Sequence, residues 1–367
     1  MIHDEIGGFF EMPELIDIKE ENSCYNYLIQ KIDKNYPNFE FIRDGRQALK
    51  WILIQNEVEA RKNQILIPKY LCESIIQPFS ELDLDYAHYE QSDDLSPKIN
   101  FNIKNSIVLI IDYFGIEQIS QDEIQQLLNN GCIVIIDISH SILNTTRFNL
   151  VHENIYLFAS LRKIFPIPDG GVVYSFQENP KKKKLRNPTN YETMLEAMFL
   201  KKYYFQSNSE KERVNLKKHF LKLYNEYEEE KEKKKEKYNL EKIPEISLDI
   251  LKKISYKITK NRREANAQFF LKKTKKEYTF FKKPLTLPSF FLLKFPSNTI
   301  REKYKKEFIK LKIFTPIHWI LPFSIQDVCK EETKLSERVL TIPIDHRYIP
   351  KDYIEKLSKL DEIFKNI

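Results

Sequence analysis

The chain has 367 residues, 42% of them apolar, with 25 Phe and 20 Tyr. That is enough to bury the cores of two domains, and it excludes a disordered or low-complexity protein. The net charge of +6 comes largely from one Lys-rich region interleaved with Glu. No nucleic-acid motif, N-terminal signal pattern or apolar stretch of spanning length is present, so neither a nucleic acid nor a membrane is an expected partner, and a cytoplasmic protein is.

In chain order, residues 1–40 form an N-terminal arm. Its acidic, aromatic start around Gly7-Gly8-Phe9-Phe10 reads as a surface turn followed by packing aromatics, in preference to an arm at a partner subunit or a site mouth. A helix is predicted from Glu21 to Lys31, with Tyr25, Leu28 and Ile29 on one face. Phe41-Ile-Arg-Asp44-Gly45-Arg46 then leads into an amphipathic helix over Gln47–Glu57. The first turn of such a helix offers unpaired backbone N–H groups to an anion. Asp44 suits the N-cap, Gly45 permits close backbone approach, and Arg46 either adds a charge-assisted contact or points to solvent.

Strands are predicted at Gln64–Pro68, Leu82–Tyr89 and Ser106–Asp112, with a helix starting at Ser74 and another over Gln121–Asn130 that stops at Gly131. Ile133-Val-Ile-Ile-Asp137 is apolar on both faces, as a central parallel strand must be. A carboxylate at its end is costly to bury without a positive partner. His140 follows three residues later and suits an acid–base or ring-contacting role. Tyr156–Ser160 is the next strand. Lys163 lies just past its end, where apolar neighbours can desolvate an amine and turn it into a nucleophile of the Schiff-base type. Gly170-Gly171 opens a further strand. Alternating strands and helices of this size imply an α/β protein with a mostly parallel sheet. Cys24, Cys72, Cys132 and Cys329 have no metal-ligand spacing; reduced thiols and no metal are expected.

Taken in order, these motifs resemble the fold-type-I pyridoxal phosphate (PLP) enzymes, and within them the DegT/StrS-type aminotransferases. The resemblance rests on Asp44–Leu49, Ile67–Cys72, Asp112–Gly115, Asp137 with His140, Ser160-x-x-Lys163, Gly170-Gly171 and Ser336–Pro343. It implies a seven-stranded-type sheet with helices on both faces in a large domain (41–245) and a smaller C-terminal α+β domain (246–367). It implies PLP as cofactor, with Lys163 as its anchor and Asp137 at its pyridine nitrogen. His140 falls near the ring oxygen, Ser160 and the Gly45-Arg46 turn at the phosphate, and Tyr70 or Cys72 over the ring. His318 and Trp319, in Ile313–Trp319, would line the substrate mouth. The implied activity moves an amino group from an amino acid to a keto acceptor, possibly a nucleotide-linked keto-sugar of surface polysaccharide or secondary metabolite synthesis, in a homodimer.

The Ser-x-x-Lys spacing is shorter than that family's usual form. The same scaffold also serves decarboxylation and β-elimination, and it could serve as a non-catalytic scaffold subunit. Arg162 either contacts the phosphate or, the simpler reading, is solvated, as is the Lys181–Lys184 run. A helix is predicted over Glu192–Tyr204. Glu210–Tyr238 reads as one long exposed helix, a charged insertion near 205–240, with Glu228–Lys237 projecting into water or bending as a loop. Beyond it, one helix over Ile246–Lys272, a strand near Leu287–Phe295, a helix near Thr299–Leu311 and a terminal helix over Lys351–Phe364 complete the chain.

Overall fold

The computed structural model describes residues 4–30, 36–116, 118–144, 148, 150–176, 185–233, 239–281, 290–322 and 329–365. The first half of the chain runs β1 (Ile6–Gly7), α1 (Cys24–Gln30), β2 (Asn38–Ile42), α2 (Gly45–Gln55), α3 (Glu57–Lys62), β3 (Ile65–Pro68), α4 (Glu73–Glu81), β4 (Ala87–Gln91) and β5 (Pro97–Lys98). It continues through β6 (Ile107–Ile111), α5 (Gln121–Asn129), β7 (Ile133–Asp137), β8 (Ile155–Ser160) and β9 (Gly171–Ser175). Four helices follow: α6 (Tyr191–Gln206), α7 (Glu210–Lys233), α8 (Glu245–Lys253) and α9 (Tyr256–Lys273). The last elements are β10 (Phe290–Lys294), α10 (Asn298–Lys310), β11 (Ile313–Phe314), α11 (Lys330–Arg338), β12 (Val339–Pro343) and α12 (Pro350–Leu357).

Among the described residues the main sheet has eight strands in the order β2-β9-β8-β7-β6-β3-β4-β5, one more than the expected seven. Its centre, from β8 to β4, is parallel, and β9, β2 and β5 flank it antiparallel. Every residue of β6 and β7 is buried. Their side chains alternate between the faces, so neighbours enter different cores. Leu109 and Ile135 pack in one with Leu49 and Ile52 of α2; Val108, Ile110, Val134 and Ile136 pack in the other with Leu127 of α5. Two layers of helices therefore cover a strand set that is apolar on both sides. A second sheet pairs β10 with β12 antiparallel, and β1 pairs with β11 in parallel.

Some expectations need correction. The predicted helix over Ile246–Lys272 is two helices, α8 and α9, broken at Ile254-Ser255; the Ser255 hydroxyl caps α9 by accepting from the Ile258 N–H at 3.4 Å. The strand predicted at Leu82–Tyr89 starts only at Ala87. The terminal helix stops at Leu357. The 4–12 segment is not a surface turn, since β1 is buried and joins β11. Lys181–Lys184 lies outside the described residues, as does the end of the charged helix beyond Lys233.

Candidate functional site

A cavity of about 540 Å³ opens at the carboxyl ends of β7 and β8, the edge of a parallel sheet where helix N-termini and strand ends converge. Asp137 ends β7, is buried, and has its carboxylate fixed by the Ser139 N–H at 2.8 Å. The Ser139 hydroxyl in turn accepts from the Ser160 N–H at 2.8 Å, tying the ends of β7 and β8 together. Ser160 passes directly into the short turn Leu161–Lys163. Asp137, Ser160 and Lys163 all face the cavity.

The opposite wall is the first turn of α2. Asp44 is its N-cap and accepts from the Gln47 N–H at 2.9 Å. Gly45 is pressed against the β8 end, where a Cβ would sit 2.9 Å from that of Ser160. Arg46 also faces the cavity, and its Nη1 is buried without a hydrogen-bond partner. Gly171 explains the second glycine of the Gly-Gly pair by close approach. A Cβ there would lie 2.4 Å from the Asp44 carbonyl oxygen, so β9 can run beside the N-cap only as glycine.

The remaining expected site residues are distributed as follows. His318 lines the cavity, and its Nδ1 lies 3.0 Å from the Thr341 hydroxyl. His140 lies behind the lining, stacked on Trp319 at 5.4 Å and on Phe114 at 5.1 Å, with Nδ1 accepting from the Phe114 N–H at 3.3 Å. Trp319 is a core residue of that cluster and does not line the cavity. Neither Tyr70 nor Cys72 lines it. Tyr70 donates its hydroxyl to the His318 carbonyl and packs on Trp319, and the Cys72 sulfur meets the Ser74 hydroxyl at 2.8 Å. Ser74 and Ile75, from the start of α4, face the cavity instead. Burial, reinforced by the nearby Lys163, holds His318 down at about 3 and His140 well below the usual imidazole range. Both rings are therefore neutral near pH 7.

Several cavity residues were not foreseen. Arg162 is not solvated: its guanidinium pairs with Glu228 of α7 at 2.6 Å. Lys231 of α7 reaches Asp44 at 2.8 Å and Asp169 at 3.1 Å. Tyr227 donates its hydroxyl to Asp169, which also meets Arg43 at 3.1 Å. The helix expected to stand exposed thus buries one face against the site. The signal was present as Tyr224, Tyr227, Glu228 and Lys231, spaced for one helix stripe. At the mouth, Gly8, Phe9 and Phe10 join the lining; Phe9 stacks on Tyr224 at 4.7 Å, and Arg347 lies over Phe10 at 4.5 Å.

No protein-family profile matches the chain, and no curated protein matches it either. Solved structures do. A DegT DnrJ EryC1 StrS aminotransferase from Brucella abortus superposes with a TM-score of 0.59 at 12% identity, over 95% of this chain and 91% of that one. The chain has the fold of these aminotransferases. Spr1654 of Streptococcus pneumoniae, named a sugar aminotransferase and solved in a PLP form, gives a TM-score of 0.58 at 12% identity over 97% and 93%. The sugar aminotransferase CalS13 from Micromonospora echinospora gives 0.57 at 11% over 98% and 100%. The likeness spans nearly the whole chain, and the cavity lies at the strand ends of that shared fold.

Proposed function

We propose that the chain is a PLP-dependent aminotransferase that moves an amino group from an amino acid to a keto-sugar, with a nucleotide-linked sugar as the acceptor class. One observation carries this reading: an amine, a buried carboxylate and an anion cradle share one cavity, as Lys163, Asp137 and the Gly45-Arg46 turn. The residues suit the cofactor. The buried, unpartnered Arg46 Nη1 and the opening turn of α2 match a phosphate. Asp137, oriented by Ser139, matches a protonated pyridine nitrogen.

When bound, PLP supplies an electron sink for the donor's α-carbon. The chain supplies the rest. Lys163 Nζ would hold the cofactor and, as a free amine, would accept the proton released from the donor's Cα. Asp137 would keep the ring nitrogen protonated. Ser160, Gly45 and Arg46 would hold the phosphate, and His140 would support the ring side from behind the wall. His318, neutral and bonded to Thr341, borders the substrate side. The same reading places the enzyme in the cytoplasm as a homodimer; among the described residues no helix is long and apolar enough to cross a membrane.

The test is spectroscopic. Protein incubated with PLP shows a visible band, and borohydride followed by peptide mapping places the cofactor on Lys163. Lys163→Ala loses both the attachment and turnover. A colourless protein, or label on another lysine, overturns the assignment. Product analysis then separates transamination, which needs a keto acceptor, from β-elimination or decarboxylation, which do not.

A further inference from the structure

The end of α7 places an ammonium against an acid that should not be tolerated where it is. Asp44 caps α2, the turn that faces the cavity as an anion cradle. A carboxylate there repels any second anion brought to the same N–H groups. Lys231 Nζ meets it at 2.8 Å with the lysine side chain only 7% exposed, so the contact is dry and little screened. Around this point Arg43, Arg46 and Lys231 face Asp44, Asp169 and Glu241. The three cations balance the three anions. Removing Lys231 leaves the floor of the cradle with a net negative charge. The neighbouring cation Arg162 is already taken by Glu228 of the same helix, so it does not compensate.

We propose that Lys231 is a positioning residue that makes the α2 cradle accept a phosphate dianion, by neutralising the Asp44 cap from the inserted helix α7. The proposal deepens the PLP reading and rests on it for the identity of the phosphate ester. Lys231 need not touch that phosphate; it acts through Asp44. Tyr227 and the Arg162–Glu228 pair hold α7 at the depth this requires.

The experiment measures binding, not turnover. Wild type, Lys231→Met, Asp44→Asn and the double variant are titrated with PLP, with pyridoxal (which lacks the phosphate) and with inorganic phosphate. Absorbance follows the first two, and a shift in melting temperature follows the third. Circular dichroism checks the fold of each variant. Lys231→Met is expected to weaken PLP and phosphate about tenfold or more, a single-charge effect in a dry site, while pyridoxal binding stays within about twofold by the same scale. Asp44→Asn, which still caps a helix, binds PLP at least as tightly as wild type, and it restores PLP affinity to Lys231→Met.

The proposal is overturned if Lys231→Met binds PLP like wild type. It is equally overturned if PLP and pyridoxal weaken together, or if Asp44→Asn gives no rescue. Should Lys231→Met fail to fold, Asp44→Asn alone decides: weaker PLP binding sinks the idea, equal or tighter binding supports it. Wild type that binds neither PLP nor pyridoxal but loses phosphate affinity in Lys231→Met would defeat the cofactor reading and leave the cradle mechanism standing.

Discussion

Neutral imidazoles beside a lysine make the stability of this site depend on pH in a defined direction. His318 is held at about 3 by burial and by Lys163, against about 6.5 in an unfolded chain. Between those values the unfolded chain binds a proton that the folded chain does not, so stability falls as pH drops through this window. Urea midpoints of wild type should fall from pH 7 to pH 5, where unfolded aspartates do not yet titrate. His318→Gln should flatten that fall; an unchanged slope would place the proton uptake elsewhere. Gly171 makes a second prediction at this scale. Its replacement by Ala drives a Cβ into the Asp44 carbonyl and should cost about 1–3 kcal/mol, the usual range for overpacking a tight site. A thermal melt with no loss would mean that β9 and α2 separate easily.

Among the elements, α7 shows what a sequence hides. Its charge-rich exterior dominates the composition, yet Phe220 and Tyr227 are buried and the Lys231 side chain is nearly so. Tyr227→Phe removes one bond to a charged acceptor and should cost about 1.5–3 kcal/mol in chemical denaturation. A neutral outcome would show that α7 docks through the Lys231–Asp169 pair without the Tyr227 hydroxyl. The strands that carry Asp137 and Ser160 were legible because a short, β-branched apolar run bounded by turn residues fits a covered strand, and the polar residue that ends it falls at the ligand edge. Lys163 followed by chain proximity. Arg162 and Lys231 were not legible, because their partners, Glu228 and Asp44, are set by how α7 lies on the sheet and not by any local period. Tyr70 misled for a related reason: its position was right for the strand end, but the His318 carbonyl captures its hydroxyl and turns the ring into the core. The break between α8 and α9 was missed because the apolar spacing continues across it while Ser255 restarts the helix.

On the scale of the whole molecule, residues 4–11 tie α6 and α7 to the segment after β12 electrostatically. Glu11 pairs with Arg347 at 3.0 Å and with Lys201 at 3.5 Å, and Glu5 with Lys217 at 2.6 Å. Burial, with Arg347 nearby, lowers Lys201 to about 8 despite Glu11. Its ammonium is held by Glu11 together with the carbonyls of Gly7 and Phe9. Deleting residues 1–11 should lower the melting temperature and make added salt stabilising, because Lys201 would face Arg347 with Glu11 gone and only Asp345 left as counter-charge. A truncated protein that melts like the full chain, with no salt effect, would show that the segment is ornamental to the fold.

The same segment fixes an order of events. The Gly7 N–H bonds the Tyr348 hydroxyl across 341 positions, and β1 finds its partner only in β11. During synthesis the segment emerges first, and the strands and α2 that build the cavity floor are complete before either partner exists. Phe9 can stack on Tyr224 as soon as α7 is in place, but Phe10 waits for Arg347 and His346. The cavity waits with it, since Phe290, Thr315, His318, Asp345 and Arg347 also line it. A ligand that fills it therefore meets a finished pocket only after these late residues have emerged, and the stretch that comes out first is among the last to settle.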